Sequence, residues 1–203
     1  MEKQLIITMN RESGSGGLEI AQKLGDRLGI KVYDKNIFAE IGERFDIDAS
    51  RLEKFDETPR MLGITRNVNE HSNSPAVQVV KMQREFLRSK AEEGKSFVVL
   101  GRCGMEGLRD WPCLLIRLFI EADEAFKVER TMAGFGYTEN QAKRYMAWED
   151  RRRESFHDQF CRFKWKDRTS YDLIVKSDKL GIEKTLDLLE TYVRMRMDCY
   201  EGT

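Results

Sequence analysis

The stretch MNRESGSGGLEIAQKL, residues 9–24, holds the features that decide the fold of this chain. It begins at the end of a short isoleucine-rich apolar run, residues 4–9, which predicts a buried strand. After the glycines, leucines recur at helical spacing until Gly29, where we expect the helix to end. The next segment, IKVYD (30–34), predicts a second strand. A strand, a helix and a strand with short connections indicate a right-handed parallel unit.

The glycine-rich turn between this strand and helix has the composition of an anion-binding loop. Gly14, Gly16 and Gly17 allow the backbone to curl so that several N–H groups face one centre. A helix N-terminus adds partial positive charge, and Ser13 and Ser15 offer hydroxyl donors. We therefore expect a phosphate here, with a purely structural turn as the alternative.

Two nucleotide-binding patterns compete for this loop. A dinucleotide fingerprint, G-x-G-x-x-G, would start at Gly14 and would have Asp34 as the ribose-binding acid about 20 residues on. Its third glycine, however, is replaced by Glu19. Four residues, NRES, also separate the strand from Gly14, whereas the dinucleotide turn begins almost at the strand end. The longer loop favours P-loop geometry.

Against the P-loop pattern G-x-x-x-x-G-K-[ST], the match is partial. Arg11 stands at the first glycine, and Gly16 is the second glycine. Gly17 replaces the lysine, and Leu18 replaces the hydroxyl that binds magnesium. If the loop binds a polyphosphate, another cation must supply the missing charge.

The remaining chain predicts an α/β fold. Continuous apolar runs favour strands buried on both faces of a parallel sheet. The predicted strands are residues 4–9, 30–34, 96–101, 113–120 and 171–177. Helical patterns separate them, so we expect a three-layer, P-loop NTPase-like domain, residues 1–203, with about five parallel strands and helices on both faces.

Capping signals mark several predicted helix starts. Asp48 is expected to divide residues 35–57 into two helices, and Ser74-Pro75 to open the helix that runs to Gly94. Asp123 is expected to open a helix after the fourth strand. Thr138 and Gln141 have the spacing of a capping box for the helix that follows.

Composition excludes several classes of protein. The 203 residues are 40% hydrophobic and 34% charged with a net charge of zero, so we expect no nucleic-acid partner. No stretch approaches the ~20 apolar residues of a membrane span, and the N-terminus does not resemble a signal peptide. The four cysteines lack metal-ligand spacing, and His71 and His157 are expected at the surface. Together these observations favour a cytoplasmic protein whose cysteines are reduced.

The sequence resembles the cytidylate kinase-like proteins, whose hallmark is a strand, then S-R-E-x-G-S-G-G, a helix and YDK. Here ITMNRESGSGGLEIAQKLGDRLGIKVYDKNIF carries the resemblance, with Asn10 at the serine. It continues in FVVLGRCG, in a D-x-x-R stretch from Asp150 to Arg153, and in KWKDRTSYDLIVKS. The resemblance implies a P-loop nucleoside monophosphate kinase fold. It also implies transfer of the γ-phosphoryl group of ATP, with Mg²⁺, to a small acceptor, with CMP or dCMP as the first expectation.

Phosphoryl transfer requires aligned phosphates and positive charge around them. We expect Arg11, Arg102 and Arg153 to be catalytic, with Asp150 positioning Arg153 and Arg130 as a further cation. The residues expected to bind ATP are Arg11, Ser13, Gly14, Ser15, Gly16, Gly17 and Leu18. Glu19 is one candidate for a carboxylate ligand of Mg²⁺, but the sequence does not favour it over other acidic residues.

The acceptor is expected to bind Asp34, Lys35 and Arg102, with a helical insert over residues 35–74. Residues 134–168 are expected to form a mobile lid. Asp34 could instead cap the following helix. Arg102 is followed by Cys103 where cytidylate kinases have G-R-D, so the sequence does not fix cytosine as the base.

Two further functions remain open on sequence grounds. The missing lysine favours a nucleotide- or anion-binding regulatory protein without catalysis. The cysteine in place of the acid favours a kinase of a metabolite that is not a nucleotide. The oligomeric state is not predicted.

Overall fold

The computed structural model describes residues 4–54 and 75–200. The strands are β1 (Leu5–Arg11), β2 (Lys31–Tyr33), β3 (Phe97–Leu100), β4 (Leu114–Glu121) and β5 (Leu173–Lys176). All neighbouring strands pair in parallel, in the order β2-β3-β1-β4-β5. The five-stranded parallel sheet expected from the sequence is therefore confirmed.

Helices follow most strands. They are α1 (Gly17–Leu28), α2 (Ile37–Phe45), α3 (Ala49–Glu53), α4 (Pro75–Glu92), α5 (Gly104–Gly107), α6 (Glu124–Phe135), α7 (Glu139–Phe160) and α8 (Ser177–Cys199). A 3₁₀ turn lies at Arg168–Ser170. Both α5 and this turn are too short to show a helical period, and the sequence did not predict them. Residues 58–74, which the sequence predicts to be a polar loop within the insert, lie outside the described residues.

The side chains of β1 alternate between two hydrophobic layers. Ile7 and Met9 belong to the layer that includes Leu189 of α8 and residues of α1. Ile6 belongs to the opposite layer, with Phe86 of α4 and residues of α2. This alternation follows from the two-residue period of a strand. It places helices on both faces of the sheet, as the three-layer prediction required.

Most predicted helix starts are confirmed. Thr138 and Gln141 form the reciprocal capping box of α7, and the Asp48 side chain accepts from the Ser50 N–H. The prediction for Asp123 is correct in position but wrong in mechanism. Its carboxylate makes no cap bond and pairs instead with Lys176 and Lys179, since these ammonium groups attract it away from the helix N–H groups.

The expected surface position of His157 is wrong. The residue is 4% exposed on α7, because that face of the helix packs against the body of the protein. His71 lies outside the described residues. Among residues 4–54 and 75–200, the model has no helix with the length and apolarity needed to cross a membrane.

The packing of α8 predicts a contrast between two adjacent leucines. Leu189 is fully buried, whereas Leu188 is 42% exposed. Leu189→Ala should lower the free energy of unfolding by about 2–5 kcal/mol because it leaves a cavity. Leu188→Ala on the same turn should change it by less than about 0.5 kcal/mol. Urea denaturation of both variants measures the difference, and equal effects would contradict the assignment of this helix face.

Candidate functional site

A cleft of about 420 Å³ lies at the carboxyl ends of the strands, over the loop that follows β1. Six of the seven residues expected to bind the nucleotide line it: Arg11, Ser13, Gly14, Gly16, Gly17 and Leu18. This is the edge of an open parallel sheet where ligands bind in this class of fold. A larger, mainly apolar hollow of about 910 Å³ lies between α6 and α7, and no residue of the loop lines it.

Ser15 is the exception among the loop residues, and its expected role as a hydroxyl donor to the ligand is not supported. It is fully buried, and its hydroxyl donates to the Glu12 carbonyl over 2.8 Å. The hydroxyl of Ser177, at the start of α8, donates to the Ser15 carbonyl over 2.6 Å. Ser15 therefore shapes the loop. No local pattern in the sequence identifies Ser177 as its partner, because the two residues are far apart in the chain.

Glu12 fixes the loop to the neighbouring strand and helix. Its N–H donates to the Ile120 carbonyl over 2.9 Å, continuing the ladder between β1 and β4. Its carboxylate accepts from Lys127 over 2.8 Å and from the Ala122 N–H over 3.3 Å. These bonds fix the start of the loop. The sequence did not predict the contribution of Lys127.

The three glycines lie where a side chain would collide with the protein. A β-carbon at Gly14 would lie 2.6 Å from the Lys127 carbonyl oxygen, and one at Gly16 would overlap Ile182. Gly14 and Gly16 also have φ of +81° and +80°, a left-handed conformation that other residues rarely adopt. The loop therefore requires glycine at both positions for space and for backbone conformation.

Gly17 is required for a different reason. A β-carbon there would overlap the Arg11 β-carbon and lie 2.8 Å from its γ-carbon. The sequence predicts Arg11 to lie in the loop, and this prediction is wrong. Arg11 is the last residue of β1, because the pairing with β4 extends to this residue. The stem of Arg11 thus fills the space where the side chain of a P-loop lysine would begin.

The loop presents backbone donors toward the cleft. Among the described residues, no hydrogen-bond acceptor contacts the N–H groups of Gly14, Gly16, Gly17 and Leu18. The Ser13 N–H, by contrast, donates to an Asp150 carboxylate oxygen over 2.7 Å. Burial raises the pKa of Asp150, against the opposing effect of this bond. A carboxylate thus already occupies one of the anion-binding donors of the loop.

Helix α7 brings two arginines to the same cleft. Arg152 and Arg153 both line it, whereas Arg151 is exposed on another face. Arg153 contacts the carboxylates of Glu149 at 3.1 Å and Asp150 at 3.3 Å. The contact with Asp150 is the one expected from the D-x-x-R spacing, because residues three apart lie on one helix face.

Arg130 also lines the cleft, from helix α6. It contacts Glu19 at 2.9 Å. Hydrogen bonding by Lys23 and then by Arg130, opposed by burial, lowers the pKa of Glu19. Glu19 is therefore held as a carboxylate between two cations. In the parts of the chain that the structure describes, no three histidine, cysteine or acidic side chains are grouped to hold a metal ion.

The residues expected to bind an acceptor divide between two locations. Lys35 is exposed and lines the cleft. Asp34 does not line it, and its carboxylate accepts from the Asn36 N–H over 2.9 Å in a local turn before α2. The N-cap of α2 is Asn36, without a side-chain cap bond, so Asp34 forms a turn before the helix and the capping alternative is not confirmed.

Arg102 follows β3 at the same edge of the sheet but does not line the cleft. Its side chain is 2% exposed, and its backbone has φ of +57°, which is uncommon for a residue with a side chain. Such buried cations and unusual backbone conformations are concentrated at functional sites. A role for Arg102 in acceptor binding stays a prediction.

The geometry at Gly17 predicts that even a methyl group will impair anion binding. Gly17→Ala should weaken the binding of inorganic tripolyphosphate by about tenfold or more, because the loop or Arg11 must move. Gly134→Ala is the matched control, since nothing lies within 4 Å of a β-carbon there. Isothermal titration calorimetry compares the two. Unchanged affinity in Gly17→Ala would show that the loop tolerates a side chain.

The position of Asp150 predicts a pH-dependent difference between two proteins. At neutral pH its carboxylate opposes an incoming anion, so Asp150→Asn should bind tripolyphosphate about fivefold more tightly, equivalent to about 1 kcal/mol. As pH falls through the raised pKa of Asp150, the native side chain loses its charge and the difference should disappear. Both proteins are titrated at each pH. Because the ligand has the same protonation state in the two titrations, its effect cancels in the ratio of the two affinities. Weaker binding by Asp150→Asn at neutral pH would show that positioning of Arg153 dominates.

Comparisons with known proteins agree with this geometry. Residues 6–179 match the model of the cytidylate kinase-like family. The chain is similar to the crystal structure of an uncharacterized protein from Eubacterium ventriosum ATCC 27560, with 30% identity, a TM-score of 0.73, and coverage of 94% of this chain and 99% of that one. The comparison with curated proteins gave no significant match.

More distant solved structures share the P-loop kinase fold. Shikimate kinase from Bacteroides thetaiotaomicron is 15% identical with a TM-score of 0.54, covering 94% of this chain and 98% of that one. A sugar kinase from Janibacter sp. HTCC2649 is 13% identical with a TM-score of 0.55, covering 94% and 95%. From the family match and the similarity to the Eubacterium protein, we conclude that the chain belongs to the cytidylate kinase-like family.

Proposed function

We propose that the protein is an ATP-dependent phosphotransferase that moves the γ-phosphoryl group of MgATP to a small acceptor, with CMP or dCMP as the first candidates. Family membership and the kinase fold support a phosphotransferase. The observation that carries the proposal is the relation between Gly17 and Arg11. Gly17 stands at the lysine position of the P-loop pattern, and the Arg11 side chain fills the space that a side chain at residue 17 would need.

The glycine loop is suited to the phosphates of the donor. The N–H groups of Gly14, Gly16, Gly17 and Leu18 face a cleft and have no acceptor within the described residues. Arg11, Arg130, Arg152 and Arg153 add guanidinium groups from three different elements around it. Phosphoryl transfer depends mainly on such positioning and charge, with little covalent participation by the protein.

The described residues fit a magnesium ion bound mainly through the nucleotide. Mg²⁺ keeps several waters and usually takes one or two carboxylates together with substrate phosphates. Glu19 lines the cleft and stays ionised beside Lys23 and Arg130, although these two cations already engage it. The metal would supply charge neutralisation between the donor phosphates, and the loop and arginines would orient them.

For the acceptor we propose the side of the cleft near β2 and β3. Lys35 lines this side, and Asp34 and Arg102 follow the two neighbouring strands. Helices α2 and α3, the described part of the expected insert (35–74), would cover the acceptor. A guanidinium fork such as that of Arg102 can bind a phosphate or the edge of a pyrimidine.

Residues 134–168 would close over the reactants as a lid. Helix α7 already contacts the loop through Asp150, and Arg152 and Arg153 lie on the same face. Closure would exclude water and limit wasteful ATP hydrolysis. We further propose a cytoplasmic location, where thiols are kept reduced.

A second candidate is a kinase of a metabolite that is not a nucleotide. Cys103 follows Arg102 where cytidylate kinases have an acid, so the sequence does not fix cytosine as the base. Shikimate and sugars, which the names of two structural neighbours suggest, therefore belong in any acceptor panel.

Nucleotide binding and turnover distinguish these functions. ATP is titrated with and without Mg²⁺, and ADP release is then followed with CMP, dCMP, UMP, AMP, shikimate and simple sugars. We expect ADP release to require CMP or dCMP. ADP with a metabolite alone would select the second candidate. ATP binding without ADP from any acceptor would instead support a non-catalytic regulatory protein.

Substitution of Arg11 tests whether its guanidinium group takes the place of the P-loop lysine. Arg11→Ala should reduce turnover on the order of 10²-fold, as does the loss of one preorganised donor in other enzymes. Arg11→Lys should recover part of that loss because it restores the charge. Arg194→Ala is the control, since Arg194 pairs with Glu190 on the outer face of α8. Full activity in Arg11→Ala would remove Arg11 from the mechanism.

A further inference from the structure

Two cysteines from distant parts of the chain lie in one buried cluster. Cys103 follows Arg102 after β3, and Cys161 is the capping residue at the C-terminal end of α7. They are 3% and 7% exposed and belong to one buried cluster with Val80 and Phe156. Both side chains pack in this cluster, and the Cys103 thiol is the largest influence on the pKa of Cys161.

The surroundings of Cys161 favour its thiolate. The hydrogen bond from Cys103, opposed by burial and assisted by His157, lowers the pKa of Cys161 to about 6. Cys113 shows the opposite behaviour, since burial alone raises the pKa of its thiol to about 11. His157 is buried beside Cys161, and no well-formed hydrogen bond within the described residues satisfies its ring nitrogens. Low thiol pKa values beside a histidine are typical of reactive cysteines.

A structural metal does not explain this cluster. No group of three histidine, cysteine or acidic residues in the described ranges, 4–54 and 75–200, is arranged to hold one. The two sulfurs are not joined by a disulfide, so the pair is in its reduced form. A reactive thiolate with a second thiol in contact is the arrangement of a peroxide-oxidised dithiol.

We propose that Cys103 and Cys161 form an oxidation site that reacts with hydrogen peroxide and closes to an intramolecular disulfide. Hydrogen peroxide is the proposed oxidant because only a molecule close to water in size can reach sulfurs that are less than a tenth exposed. Disulfides in cytosolic proteins are usually transient and redox-sensing, which fits a reduced resting pair.

The reaction balances in two steps. The Cys161 thiolate attacks one peroxide oxygen, the O–O bond breaks, and hydroxide leaves to become water, giving a sulfenic acid. The Cys103 sulfur then attacks the Cys161 sulfur and an S–S bond of about 2 Å forms. The S–O bond and the Cys103 S–H bond break, and the hydroxide and this proton leave as a second water. Both sulfurs are oxidised and the peroxide is reduced to two waters. The proton that the Cys161 thiol loses ends on the hydroxide that leaves in the first step.

The disulfide would join the segment that carries Arg102 to the end of the helix that carries Arg152 and Arg153. If residues 134–168 move as a lid, this bond would restrain the movement and reduce turnover. That consequence rests on the proposed function, whereas the formation of the bond does not.

Peptide mapping tests the bond directly. The full-length protein is exposed to hydrogen peroxide, denatured, alkylated with N-ethylmaleimide and digested without reductant. We expect a cross-linked peptide pair containing Cys103 and Cys161, loss of about two alkylatable thiols per chain, and reversal by dithiothreitol. The variant Cys113→Ser/Cys199→Ser should retain the cross-link, and addition of Cys161→Ser to it should abolish the cross-link.

Two results would overturn the proposal. Cys103 and Cys161 could remain alkylatable at a peroxide dose that oxidises exposed Cys199, or Cys161 could be oxidised to sulfinic acid with no cross-link. The wild-type protein gives both readings, so they do not depend on the folding of a variant. Absence of turnover in the reduced protein would count against the proposed function while leaving the cross-link intact.

Discussion

The glycine loop keeps its shape because side chains from three distant elements hold it from different sides. Ser177 at the start of α8 binds the Ser15 carbonyl, Lys127 of α6 binds the carboxylate of Glu12, and Asp150 of α7 binds the Ser13 N–H. A loop rich in glycine would otherwise sample many conformations. The cost of ordering it is met during folding, so a ligand encounters donors that are already aligned.

The relation between residues 11 and 17 explains how this loop differs from an ordinary P-loop. In the usual pattern the lysine extends from the first turn of the helix, over its own loop. Here that turn begins with glycine, and the end of β1 supplies a guanidinium group instead. A guanidinium fork can make two parallel hydrogen bonds to a phosphate, whereas a lysine ammonium group acts as a point charge. The two positions therefore constrain each other, because a side chain at residue 17 would collide with the stem of Arg11.

Local signals made much of the fold predictable. Apolar runs located all five strands, and the capping box at Thr138 fixed the start of α7, because both depend on residues close in sequence. The tertiary partners were not predictable, since the burial of Ser15 and His157 depends on residues far away in the chain. For the same reason the sequence did not bring Cys103 and Cys161 together. The spacing of residues along the chain does not show which distant helices and strands contact each other.

The Asp150 contact gives the loop an internal competitor for its own donors. Any external anion has to offer more binding free energy than a carboxylate that is tethered in place and present at high effective concentration. Small monovalent ions such as chloride or acetate, which are abundant in a cell, gain too little to displace it. A ligand with several linked negative charges gains from every guanidinium group around the cleft at once. At the Ser13 N–H, the resting molecule therefore favours a ligand of high total charge over common monovalent anions.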